Sequence, residues 1–274
     1  EFYTRYGLDL QKRFFGYFLK SEDTGWDNQP RVQLKVRHVG EKFIIRGEDE
    51  WPIARTKWTR VYLDTNKLTL DETPLTENAS ISYMGMDDGA TFFLPPWKKA
   101  IEITGPISSK LFMSSETTDA DLFLIVRLFS PDMKEVVFQG TLDPNTPIAN
   151  GWLRASHRKL DIKKSMPWQP YHTHDEKQLL TPGEIYELDI EIWPTCIVIP
   201  SGYRLALSVR GKDYVYSCST NHRLSNMKNT FTGVGPFLHD DAIDRPKNVF
   251  NGKVTLYSGP DHQSSILLPI IPAK

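Results

Sequence analysis

From about Gln33 onward, apolar residues recur at every second position in short runs, and turn residues separate the runs. A two-residue period is the property of a half-buried β-strand, whose side chains alternate between faces. "VQLKVRH" (32–38) alternates Val32, Leu34 and Val36. "WTRVYLD" (58–64), "AIEITG" (100–105), "KLFMSS" (110–115), "EVVFQGTL" (135–142), "YELDIEIW" (186–193), "YRLALSVRG" (203–211) and "GKVTLYSG" (252–259) read the same way. "DLFLIVRLF" (121–129) is almost continuously apolar, which predicts a strand in the middle of a sheet. Pro182-Gly183, Ser201-Gly202 and Gly259-Pro260 supply turns between runs. Residues 212–250, rich in Asn, Asp, Lys and Pro, predict long loops. Many strands without intervening helices predict an all-β chain, a β-sandwich of jelly-roll type.

The first segment breaks that pattern. "LDLQKRFFGYFLK" (8–20) places Leu10, Phe14, Tyr17 and Phe18 at helical spacing, and Gly25 is the expected stop. A helix with so many large aromatics needs a partner surface, and little else in the chain reads as helical. The expectation is a helix and linker over 1–30, left from a body outside these 274 residues, followed by a β domain over 31–274. The chain begins at Glu1 rather than Met, in keeping with a missing start. Phe14, Phe15 and Phe18 are the expected docking face for that body.

The formal net charge of −1 provides no field that would favour nucleic acid or an anionic membrane. No apolar run reaches the length of a membrane span, and no secretory signal is visible. Only two cysteines, Cys196 and Cys218, occur, a count that favours free thiols in a reducing, cytoplasmic setting. Asn78-Ala79-Ser80 is a glycosylation triplet of a kind that arises often by chance.

Ser156 and His157 stand side by side in "GWLRASHRKLD" (151–161). On a strand they would point to opposite faces, so they predict no nucleophile–base dyad. No G-x-S-x-G elbow, phosphate loop or C-x-x-C pair occurs, and no catalytic, cofactor-binding or metal-ligating residue is assigned. "HTHDE" (172–176) would put His172 and His174 on one strand face beside Asp175 and Glu176, yet a polar connection before Pro182-Gly183 explains it more simply. "HDDAIDRP" (239–246) matches no calcium loop and predicts an Asp244–Arg245 network pinning a loop. Seven tryptophans raise sugar stacking, against the plainer reading of buried sandwich residues.

"DLQKRFFGYFLKSEDTGWDNQPRVQLKVRH" resembles the segment that joins catalytic and C-terminal domains in the X-Pro dipeptidyl-peptidase and cocaine-esterase-like serine hydrolases. The similarity continues through "WPIARTKWTRVYLD", "EITGPISSKLFMSSETTDADLFLIVRLFSPD", "GWLRASHRKLD", "LTPGEIYELDIEIWPTCIVIPSGYRLALSV" and "DRPKNVFNGKVTLYSG". Gly16 stands where that family commonly has Asp, and Ser21 where it commonly has Gly. The resemblance implies a C-terminal jelly roll resembling galactose-binding domains, packed on an upstream α/β-hydrolase domain and helping to wall its substrate pocket. The parent would cleave a small ester or peptide through an upstream Ser-His-Asp triad, and this chain alone would be inactive. Arg154, Ser156 and Arg158, read as one strand face, would look toward that domain. The alternatives are a stand-alone jelly-roll carbohydrate-binding module and a domain that mediates oligomerisation of the parent.

Overall fold

The computed structural model describes residues 2–217, 231–236 and 238–272. Cys218 therefore lies outside the described residues, while Cys196 is a free, half-buried thiol. Helix α1 spans Arg5–Lys20, three residues longer at its start than the aromatic spacing predicts. Thr4 caps it, its hydroxyl accepting from Gly7 N at 3.3 Å. Ser21, not Gly25, stops it by adopting the left-handed conformation with φ 56°. That conformation disfavours any residue with a Cβ. Replacing Ser21 with Gly is therefore expected to stabilise the folded chain by about 1 kcal/mol, measurable as a higher urea midpoint with unchanged slope. After the stop, the chain doubles back on the helix. Arg13 holds the return through Thr24 O at 3.1 Å and Gly25 O at 2.8 Å. Gly16 gives the return room: a Cβ there would sit 2.6 Å from a Glu22 oxygen and 2.9 Å from Thr24 Cγ2, so those side chains would have to shift. An Asp at this position would displace the Glu22 and Thr24 side chains.

The β strands are β1 (Val32–His38), β2 (Lys42–Glu48), β3 (Lys57–Asp64), β4 (Thr69–Asp71), β5 (Ala79–Met84), β6 (Ala90–Phe93) and β7 (Ile101–Ser115). They continue as β8 (Asp121–Phe129), β9 (Glu135–Val136), β10 (Ala149–Arg154), β11 (Tyr186–Ile199), β12 (Arg204–Arg210), β13 (Lys253–Ser258) and β14 (Ser265–Ile271). A short helix α2, Lys247–Phe250, interrupts the segment expected to be loop throughout. Hydrogen bonding links the strands in the order β10-β8-β12-β6-β4-β3-β14-β7-β11-β1-β2. The path curls until β10, at one end, packs on β11, near the other. Gly151 permits that approach: a Cβ there would lie 2.3 Å from Glu191 O and 2.8 Å from Ile192 Cγ1. Inside the curl is one hydrophobic core, in which Leu124, Val126, Ile190, Ile192, Leu205 and Leu207 are fully excluded from solvent. Each such side chain contributes about 1.5–3 kcal/mol by burial. β8 lies between β10 and β12 as its continuous apolar run predicts, and Arg127, its one half-buried residue, ion-pairs with Glu135 at 2.6 Å.

Two runs read as separate strands, "AIEITG" and "KLFMSS", are one strand, β7. Gly105-Pro106 within it is not a turn. Pro106 cannot donate to a ladder: β11 bulges past it between Ile192 and Thr195, while against β14 the extra residues belong to β7, whose Ile103–Ser108 stretch faces Leu267–Ile270. "EVVFQGTL" is strand only at Glu135–Val136, with a single bridge from Phe138 to Thr146. No helix among the described residues is long and apolar enough to cross a membrane.

Candidate functional site

β10 ends at Arg154, and Ala155–His157 form a 3-10 turn, so Ser156 and His157 do not lie on a strand as expected. Ser156 is fully buried, and its hydroxyl donates to Asp119 Oδ2 at 2.7 Å. Asp119, buried as well, accepts from Ser156 N at 3.0 Å and Ala120 N at 2.9 Å through Oδ1. Asp119 thus clamps the start of β8 to the end of β10. His157 bonds to neither: its Nδ1 lies 3.3 Å from His174 Nδ1. Arg154, Ser156 and Arg158 do not share a face either. Arg158 folds back to Ala155 O at 3.1 Å and to Gln178 O, its guanidinium 4.5 Å above the Tyr186 ring.

Arg154 instead joins a charged network that runs from the buried Asp121 to the exposed Asp244. Its guanidinium grips Asp121 at 2.8 and 3.0 Å and Asp244 at 2.9 and 2.8 Å. These two carboxylates, Asp121 first, hold the guanidinium firmly in its charged form. Arg245 reaches Asp121 at 2.8 Å and satisfies the carbonyls of His239 and Gly211 at 2.6 Å each. Asp244 and Arg245 thus belong to one polar network, as expected, but each binds across it rather than to the other, through Arg154 and Asp121 respectively. The hydrogen bond from Arg154 lowers the Asp244 carboxyl below its ordinary value.

His172 and His174 are not neighbours on one strand face. His172 forms a single bridge with Leu160, and His174 adopts φ 52°. Their rings lie 6.0 Å apart, while His157 and His174 lie 5.5 Å apart. Burial pushes the His172 imidazole below its ordinary value. Among the described residues, no group of three or more His, Cys, Asp or Glu is placed to hold a metal ion.

These side chains line the first of three adjoining clefts on the outer side of β10 and β11. The first, about 450 Å³, holds Arg154, Asp244, Glu191 and the three histidines, and ends on Trp152, Trp193 and His239. The second, about 540 Å³, begins at that same aromatic wall and runs between the 140–146 and 233–236 loops. The third, also about 540 Å³, shares Thr146, Asn150 and Trp193 with the second and reaches Arg37 and Trp51. Together they form one furrow, and Trp193 is the described residue that lines all three. It is 62% exposed and meets Trp152 edge-to-face at 5.1 Å. The β11 bulge places it there, since Trp193 and Pro194 both point outward and interrupt the alternation. Residue type alone did not separate this tryptophan from the paired Trp58 and Trp168, which stack at 4.8 Å. The one sequence signal was Pro194 inside an otherwise regular strand run.

The fold is thus a mostly β domain with an open aromatic furrow, in which Ser156 and Asp119 are bound to each other. The sequence profile of the X-Pro dipeptidyl-peptidase C-terminal non-catalytic domain matches residues 24–267, and the chain belongs to that family. Cocaine esterase from Rhodococcus sp. (strain MB1 Bresler) is 23% identical over 300 residues, covering 96% of this chain and 45% of the esterase. A CocE/NonD family hydrolase from Staphylococcus aureus superposes with a TM-score of 0.84 at 28% identity, covering 98% of this chain and 47% of that one. An α-amino acid ester hydrolase shares the fold, with a TM-score of 0.60 at 14% identity. The chain spans less than half the length of these relatives.

Proposed function

We propose that residues 31–274 are a jelly-roll accessory domain, galactose-binding-like in its architecture. Residues 1–30 would join it to an upstream α/β-hydrolase domain whose substrate pocket it helps to shape. The observation that carries this reading is the unburied aromatic face of α1, in a chain of this family. Phe14, Phe15 and Phe18 are 39%, 49% and 56% exposed. Phe14 and Phe18 pack on each other and on Trp26, with ring centroids 4.8–6.3 Å apart. Between the helix and the β body, the Tyr6 hydroxyl donates to Gln33. An apolar face of this kind calls for a partner. The parent would cleave an ester or amide bond. An upstream serine would form the acyl-enzyme, with a histidine as base and an oxyanion hole to hold the developing charge. These 274 residues would supply no reacting group; a rigid wall raises the rate by positioning substrate and excluding water.

Replacing Phe14, Phe15 and Phe18 together by Asp in the whole protein is expected to lower its thermal midpoint and its turnover together. An unchanged midpoint would sink the docking reading.

A further inference from the structure

We propose that the three-cleft furrow is the principal seat of the parent's catalytic domain, with Trp193 as its central anchor and α1 as a second, separate contact. This rests on the accessory-domain reading and adds to it the surface that meets the hydrolase.

Size is the first argument. Each cleft alone, at about 450 to 540 Å³, would suit one small molecule. Joined through shared walls, they extend well beyond one such site and fit a protein surface.

Charge distribution is the second. The middle cleft contains one carboxylate, Asp143, and its oxygens are already committed to Gly233 N at 2.7 Å, Gly235 N at 2.9 Å and Asn145 N at 2.8 Å. Aromatic and small residues make up most of the rest. Charged side chains collect at the ends: Asp244 and Glu191 at one, Arg37 at the other. An aromatic middle whose single carboxylate is taken up by backbone donors, with a charged rim, is the anatomy of a protein–protein interface. Trp193 occupies the position of an interface hot spot, central and aromatic, with Trp152 behind it.

The furrow is also built before any partner arrives. Gly151 seats β10 on β11, the bulge opposite Pro106 turns Trp193 outward, and Asp143 ties the 233–235 loop to the 140s loop. A pre-formed surface loses little freedom on binding. The occupant follows from chain length: relatives covered to 45–47% carry more than half of their own length outside the matched region.

Hydroxyl-radical footprinting of the whole protein, with its catalytic domain in place, tests the proposal. Oxidation would be read by mass spectrometry on the peptides that carry Trp193, Tyr171 and the α1 phenylalanines. After correction for intrinsic reactivity, Trp193 is expected to oxidise at least about fivefold more slowly than Tyr171, which is 46% exposed. Protection must also survive tenfold dilution of the protein. A Trp193 as reactive as Tyr171 overturns the proposal. With α1 protected, that outcome leaves the accessory-domain reading intact; with α1 reactive as well, both fail. Protection lost on dilution would mean that a second copy covers the furrow. Protection appearing only with a saturating ester or peptide substrate would mean that substrate fills it. Either result overturns the assignment to the catalytic domain.

Discussion

Replacing Asp121 with alanine is expected to destabilise the domain by about 3–5 kcal/mol, seen as a fall in the urea midpoint without a change in slope. The side chain is 10% exposed and stands between two guanidinium groups, of which that of Arg245 is 3% exposed and that of Arg154 21%. Removing the carboxylate leaves the Arg245 charge buried without a counter-ion. It also frees the start of β8 from the segment that leads into α2. The control is Asp244→Ala. Asp244 binds the same Arg154 through two equally short contacts, but its side chain is 58% exposed. Water can replace it, and the loss there should stay below about 1 kcal/mol. Two carboxylates on one guanidinium should thus differ several-fold in effect. Equal losses would show that burial of Asp121 is not what gives the network its strength.

The second large effect is expected at Asp119. Asp119→Ala removes the acceptor for Ser156 N, the Ser156 hydroxyl and Ala120 N in an interior where none can turn to water. The cost should be about 2–4 kcal/mol, with Ser156→Ala costing about 1–2. Asp119→Asn keeps one oxygen for the two backbone donors and offers an amide to the Ser156 hydroxyl, so it should recover a good part of the loss. If alanine and asparagine are equally harmful, the negative charge rather than the hydrogen-bonding shape holds the two strand ends together. In the whole protein, a Ser156→Ala chain that is folded should still turn over substrate, since its hydroxyl serves Asp119.

Strand positions were legible where burial imposes a simple pattern. β1 shows strict alternation and β8 a continuous apolar run, and both were bounded within the sequence as the structure has them. β2 was not legible. "KFIIRGE" places Phe43, Ile44 and Ile45 in succession, all about half exposed, on a strand hydrogen-bonded to β1 at the end of the strand order. With neither face buried, no period appears. β7 reads as two runs because Gly-Pro is ordinarily turn chemistry; here a bulge in β11 on one side and the extra β7 residues facing β14 on the other absorb it. The helical run ends at Lys20 as its spacing predicts, but the stop is Ser21 rather than Gly25, because Ser21 takes a conformation for which glycine is the usual signal.

Local spacing by itself determined the β class, the solitary aromatic helix, the lack of a nucleophile elbow and, through long runs of similar residues, the family. Those properties depend on neighbours in sequence. The rest depends on partners 30 to more than 100 positions away: Asp119 with Ser156, Asp121 with Arg154 and Arg245, Arg37 with Ile148. Only the curling of the sheet, which brings β10 onto β11, decided that three clefts would merge and that Trp193 would stand open at their centre. Period and propensity say which side of a strand is apolar; which strands meet is set by packing one shared core, and that packing placed the furrow.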